Sequence, residues 1–118
     1  MTELLGIARF RFKEGRRDDW LRLSDQAMEL VAANEPDTLQ YDIFLTADRS
    51  EAMVVERYRD SAAAMFHAAN TGHLWPDVFA TVELVHGELL GELSPELEER
   101  MAGAEAPVVF TPYRRMAR

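Results

Sequence analysis

The sequence predicts an α+β fold in which an antiparallel sheet carries helices on one face. Period-two alternation of apolar residues recurs four times, apolar residues at helical spacing fill two of the gaps, and the order is strand, helix, strand, strand, helix, strand. Such an order is the split βαβ arrangement.

The first strand spans residues 4–12, where Gly6, Ala8, Phe10 and Phe12 alternate with Leu5, Ile7, Arg9 and Arg11. Glu14-Gly15 makes a turn. Asp18 and Asp19 then stand where a helix N-terminus favours negative charge. This helix runs to about Asn34 with Trp20, Leu23, Ala27, Leu30 and Val31 as its apolar stripe, and Pro36 ends it. Leu39, Tyr41, Ile43 and Leu45 form one side of the second strand. The polar turn Asp48-Arg49-Ser50 joins it to a third strand, Met53 to Arg59, as a hairpin. Asp60 or Ser61 caps a second helix through Ala63, Met65, Phe66 and Ala69. Gly72 is expected to break that helix, and the pattern resumes over 73–81 with Pro76 near its first turn. Val82 to Leu90 is the fourth strand. Beyond it, Ser94-Pro95-Glu96 starts a short helix to Met101 that Gly103 ends, and residues 106–113 carry a fifth strand.

The chain of 118 residues, 47% hydrophobic, has the size of one domain. We divide it into a main unit, 1–93, and a C-terminal extension of the same domain, 94–118. A net charge of −8 argues against nucleic acid and anionic lipid as partners, because phosphate neutralisation needs clustered Lys and Arg. Arg114, Arg115 and Arg118 read as a solvated tail. The absence of cysteine excludes disulfides, thiolate nucleophiles and Cys-type metal sites and fits a reducing cytoplasm. No leader-like segment or long apolar stretch is seen, so a cytoplasmic location is expected.

The strands are apolar on both sides. Leu5 and Ile7, Phe44, and the adjacent Val54 and Val55 ask for cover on the face the helices do not reach. A second copy of the same sheet is the simplest cover, giving a two-fold homodimer. The terminal strand around Phe110 either pairs across that interface or folds back on its own edge.

Few residues carry chemistry. His67 and His73 are six apart, about 120° around a continuous helix, so they cannot share a metal, and no zinc spacing occurs. Glu56 shares a strand side with Val54 and Tyr58, where a carboxylate needs a partner. His67 on the following helix can supply it. One reading is a buried bond that fixes helix to sheet; the other is a histidine base oriented by Glu56. Tyr41, Tyr58, Phe66 and Trp75 are candidates to line a pocket, Trp75 in particular because it follows the Gly72 break, and Arg9 is a candidate anion contact.

Glu35-Pro36-Asp37-Thr38-Leu39-Gln40-Tyr41, Val55-Glu56-Arg57-Tyr58-Arg59-Asp60, His67 and Thr71-Gly72-His73, in this order of elements, resemble the antibiotic biosynthesis monooxygenase family over about residues 4–92. The family's Glu-Pro-Gly segment has Asp37 in place of glycine here, which asks for a turn that Asp can adopt. The resemblance implies ferredoxin-like subunits paired as a dimeric α/β barrel, and cofactor-free oxygenation of a small electron-rich aromatic substrate of quinol or anthrone type. His67 or His73 is then the base, Glu56 its orienter, Trp75, Tyr41, Tyr58 and Phe66 donors or walls, and Arg9 an anion stabiliser. Haem-degrading relatives use an Asn on the first strand, which this strand lacks. Two further classes compete: a dimeric binding domain without turnover, and an isomerase using the same histidine without oxygen.

Overall fold

The computed structural model of the chain describes residues 3–103 and 107–117. In chain order it forms β1 (Leu4–Phe12), α1 (Arg17–Asn34), β2 (Thr38–Leu45), β3 (Glu51–Tyr58), α2 (Ser61–Thr71), a 3-10 turn (Gly72–Leu74), α3 (Trp75–Thr81), β4 (Val82–Leu90), α4 (Pro95–Arg100) and β5 (Val108–Phe110). The sheet order is β2-β3-β1-β4-β5. Strand β1 lies between β3 and β4 and is antiparallel to both, β2 is antiparallel to β3, and β5 runs parallel to β4. The first four strands therefore have the ferredoxin-like order expected from the sequence.

Register decides which side chains face the helices. Residues paired across antiparallel strands share a face, and Gly6 opposes Glu56, Ala8 opposes Val54, and Tyr41 opposes Glu56 from the other side. The helix face thus carries Leu4, Gly6, Ala8 and Phe10, with Ala52, Val54, Glu56 and Tyr58 beside them. Two apolar clusters form there. One joins Leu4, Tyr58, Ala63, Leu89 and Leu97; the other joins Phe10, Trp20, Ala52, Val54 and Val82. Trp20 is the anchor of the second, tilted against both Phe10 and Phe12. The opposite face carries Leu5, Ile7 and Arg9 of β1, Met53 and Val55 of β3, and Phe44 of β2, with no helix over it. Phe44 is 54% exposed on that face.

Asp60 caps α2 by accepting the Ala63 N–H at 2.9 Å, and Ser94 caps α4 through the Leu97 N–H at 3.2 Å. The helix breaks at Gly72 as expected, yet Gly72 itself is right-handed helical (φ −56°, ψ −32°). Pro76 gives the physical reason: it has no N–H to return to the Gly72 carbonyl, and the Trp75 N–H bonds that carbonyl instead, tightening the turn to 3-10. Asp37, in the place of the family's glycine, needs no left-handed backbone, since among the described residues Arg49 alone has a positive φ outside glycine. The fifth strand is shorter than the sequence suggested. It holds three residues, pairs parallel with residues 88–90 of its own chain, and stops where Gly91 turns β4 away and leaves no edge to extend. Ala106, expected to begin it, and Arg118 of the basic tail lie outside the described residues. No helix among the described residues is long and apolar enough to cross a membrane.

Candidate active site

Between sheet and helices lies a cavity of about 780 Å³, a volume ordinary for small-molecule sites, with a lining that is mostly apolar. Its polar centre is built where β2, β3, α2 and the end of α1 converge. His67 projects from the middle of α2 and is 6% exposed. Its Nδ1 lies 2.9 and 3.1 Å from the two carboxyl oxygens of Glu35, at the C-terminal end of α1. Glu35 also accepts the Thr38 hydroxyl at 2.7 Å and an Asn70 N–H at 2.7 Å. Thr38 and Asn70 already make this carboxyl group an acceptor, and both its oxygens face Nδ1, which assigns the His67 proton to Nδ1 and leaves Nε2 free to accept. Asn70 uses a second N–H on the Leu30 carbonyl at 3.1 Å and so clamps α2 to α1.

Nε2 of His67 points toward Glu56, with 3.6 Å to Oε1. This is a close approach without hydrogen-bond geometry. The other Glu56 oxygen accepts the Tyr58 hydroxyl. Burial pushes the Glu56 carboxyl above the usual carboxylate range, against the opposing pull of His67 and the Tyr58 hydrogen bond, and the nearby Glu35 charge adds to the rise. Burial also drives the Tyr41 and Tyr58 phenols well above their ordinary value, helped by the Glu56 charge, so both stay O–H donors. Their rings flank the imidazole at centroid distances of 5.5 and 5.6 Å. Gly6 lies opposite, where an added Cβ would be 3.5 Å from Glu56 Oε2; the missing side chain keeps that wall open.

Of the residues singled out in the sequence, the structure brings together His67, Glu56, Tyr41, Tyr58 and Trp75 on the cavity wall. Trp75 serves as wall rather than donor, because its indole N–H is already given to the Thr71 hydroxyl at 3.1 Å, which in turn donates to the His67 carbonyl. The orienting role expected of Glu56 falls instead to Glu35, whose carboxyl is the one within bonding distance of the imidazole. His73 is not in the cavity. The 3-10 turn carries it to a separate shallow depression beside Gln26 and Glu29. Phe66 is half exposed and lies outside the lining, one position from His67 and hence on another side of α2. Arg9 belongs to the uncovered sheet face, where its Nε is 2.6 Å from Glu51. Among the described residues no three His, Asp or Glu side chains stand where they could hold one metal ion.

Sequence reasoning quoted Glu35 and Thr38 within the family-like segment without giving either a role, and it missed Asn70. One signal was available: Asn70 follows His67 by three, which puts both on one face of α2.

The fold matches solved structures closely. MupZ from Pseudomonas fluorescens superposes with a TM-score of 0.80 at 19% identity, covering 100% of this chain and 96% of that one. Rv0793 from Mycobacterium tuberculosis gives 0.67 at 23% identity over 78% of this chain and 96% of its own. SnoaB from Streptomyces nogalater, described as a cofactor-independent oxygenase, gives 0.65 at 13% identity over 74% and 89%. At these identities the likeness is one of fold. No curated protein sequence matches the chain. The sequence profile for antibiotic biosynthesis monooxygenase matches residues 5–74, more than half the length, and the chain belongs to that family.

Proposed function

We propose that this protein is a cofactor-independent monooxygenase that acts, as a homodimer, on electron-rich aromatic small molecules of quinol or anthrone type. The observation that carries the reading is His67, with one nitrogen held by buried Glu35 and the other turned into an aromatic-walled apolar cavity beside Glu56. Family membership and a neighbour described as a cofactor-independent oxygenase support it.

The chemistry asks little of the protein. An anthrone CH2 is acidic, and imidazole is the side chain suited to remove its proton near neutral pH. The resulting anion is itself the reductant: it passes an electron to dioxygen, and the radical pair recombines as a peroxide on the same carbon. Glu56, which burial biases toward the acid form, gives a proton to the peroxide, and His67 returns its proton to Glu56. The second C–H proton then leaves with the outer oxygen as water. CH2 and O2 become C=O and H2O, with no electron left over. Tyr41, held as a phenol, is the donor for the oxyanion, and the apolar walls exclude water from the radical pair.

The test is oxygen uptake on dithranol and a panel of quinols, without added metal or flavin. Wild type is expected to exceed the buffer rate, and His67→Ala to lose about 10²- to 10⁴-fold of that excess. Uptake at the buffer rate across the panel would overturn the reading. A proton-shuttling isomerase is the second reading, favoured by one observation: the Glu56 carboxyl, biased by burial toward its acid form, lies 3.6 Å from the free His67 nitrogen, an acid and base pair on one wall. Turnover that persists under nitrogen would select it, and tight binding without turnover in either gas would leave a binding domain.

A further inference from the structure

Part of the cavity lining comes from described residues of the C-terminal segment, which lies beyond the residues 5–74 matched by the family. Helix α4 brings Leu97, Arg100 and Met101 to the lining, and Pro107 packs against Gly87 of β4, where an added Cβ would be 3.5 Å from the proline. The helix is fixed in place at its start, since the Ser94 N–H donates to the Ser61 hydroxyl at the beginning of α2 at 2.9 Å and Leu97 is 5% exposed in the core.

Arg100 is the lining residue with a permanent positive charge. The remaining ionisable groups of the lining are Glu56, His67, Tyr41 and Tyr58 at the centre, and His86 and Glu88 on β4. An acidic protein with a net charge of −8 repels anions over most of its surface, so a mostly exposed guanidinium on the rim of a largely apolar cavity is a local exception. Its partner, Glu96, is one turn earlier on the same helix at 3.2 Å, and both side chains are mostly exposed. Such a pair contributes little to stability and is readily exchanged for a better acceptor. A carboxylate on a ligand offers that, because it accepts the guanidinium through two parallel hydrogen bonds.

We propose that the substrate has an anionic end: an aromatic acid whose apolar ring system occupies the cavity toward His67 while its carboxylate meets Arg100 at the mouth. This deepens the proposed function and rests on its assignment of the cavity as the substrate site. It makes Arg100 a specificity residue, one that selects among aromatic substrates by charge without touching the reacting atoms.

Two oxidised anthracene probes separate charge recognition from turnover. Rhein carries a ring carboxylate, and chrysophanol has a methyl group in its place. Binding is followed by quenching of Trp20 and Trp75, both of which line the cavity. Wild type is expected to bind rhein about tenfold more tightly than Arg100→Gln does, Arg100→Lys to fall between them, and chrysophanol to bind all three alike. Rhein affinity unchanged by Arg100→Gln, an equal loss for both probes, or no binding of rhein by wild type would each overturn the proposal. Dithranol oxygen uptake is read separately. Charge-selective binding of rhein without uptake would retain Arg100 as the anion contact and sink the oxygenase reading alone.

Discussion

Glu35 and Glu56 face the same imidazole from opposite sides, and their surroundings give them opposite tasks. Glu35 is met by three donors, which suit a charged acceptor; Glu56 is met by one phenol and by desolvation, which favours the neutral acid. The difference has a measurable sign. A carboxyl whose pKa is higher in the folded than in the unfolded chain binds more protons when folded, so its contribution to stability falls as pH rises above the ordinary value of 4.5 and through the raised folded value. Glu56→Gln cannot ionise, yet it keeps an acceptor for Tyr58. Wild type and variant should therefore melt together below pH 4.5, and the variant should become progressively more stable above it until the folded carboxyl has ionised. Thermal unfolding from pH 4 to 9 reads this directly, and a wild type more stable than the variant at pH 8 would mean that His67 holds Glu56 as the anion. The nearness of Glu56 to His67, though not the bond expected between them, was legible in the sequence because strand alternation put the carboxyl on the helix side. Glu35 was not legible, since its burial depends on how the end of α1 meets α2, and neither element's own periodicity carries that information.

At the scale of elements, period and punctuation sufficed for nearly every boundary. Alternation located β1 and β4 to the residue, and Asp60 and Ser94 are both used as caps. What local pattern could not supply was cause and partner: Pro76 rather than Gly72 tightens the turn that moves His73 out of the cavity, and β5 ends early because of what β4 does. That second point turns on Gly91. Its φ is +136°, a conformation that L side chains rarely adopt, and a Cβ there would lie 2.6 Å from Leu4 Cδ2 and 2.9 Å from the Glu3 carbonyl. Leu4 is fully buried in the cluster that also holds Tyr58 and Leu97, so it has little room to give way. Gly91→Ala should cost about 1–3 kcal/mol in urea unfolding from strain and overpacking. The same change should loosen α4, seen as faster amide exchange at Leu97, whose N–H is capped by Ser94. A variant as stable as wild type would show that the turn after β4 relaxes freely and that α4 is not held by it.

For the whole molecule, the sheet has one face covered by helices and one bare, and the bare face is not a soluble surface. Ile7 and Val55 oppose each other at its centre, with Leu5 and Leu90 on one side and Phe44 and Met53 on the other. Charged groups surround that centre: Arg9 and Arg11 reach Glu51 at one end, Arg57 reaches Glu3 at the other, and Asp42 and Glu88 flank the Val55–Ile7 pair on β2 and β4. An apolar centre with a polar rim is the anatomy of an interface, and the same patch on a second copy complements it about a two-fold axis. The homodimer proposed above uses this face, while the His67 and Glu56 centre of the cavity lies on the helix side of the sheet. Ile7→Asp places a carboxylate against Val55 at the centre of that patch, where the partner would have to bury it unpaired. In sedimentation velocity the wild type should run at about twice the 13.5 kDa of the chain and Ile7→Asp at the monomer value. Because Ile7 projects away from the helix-side clusters, circular dichroism should stay the same. A wild type that is monomeric at tens of micromolar would leave the bare face without a role, whereas a folded Ile7→Asp monomer would show that the second copy covers this face without being needed for the chain to fold.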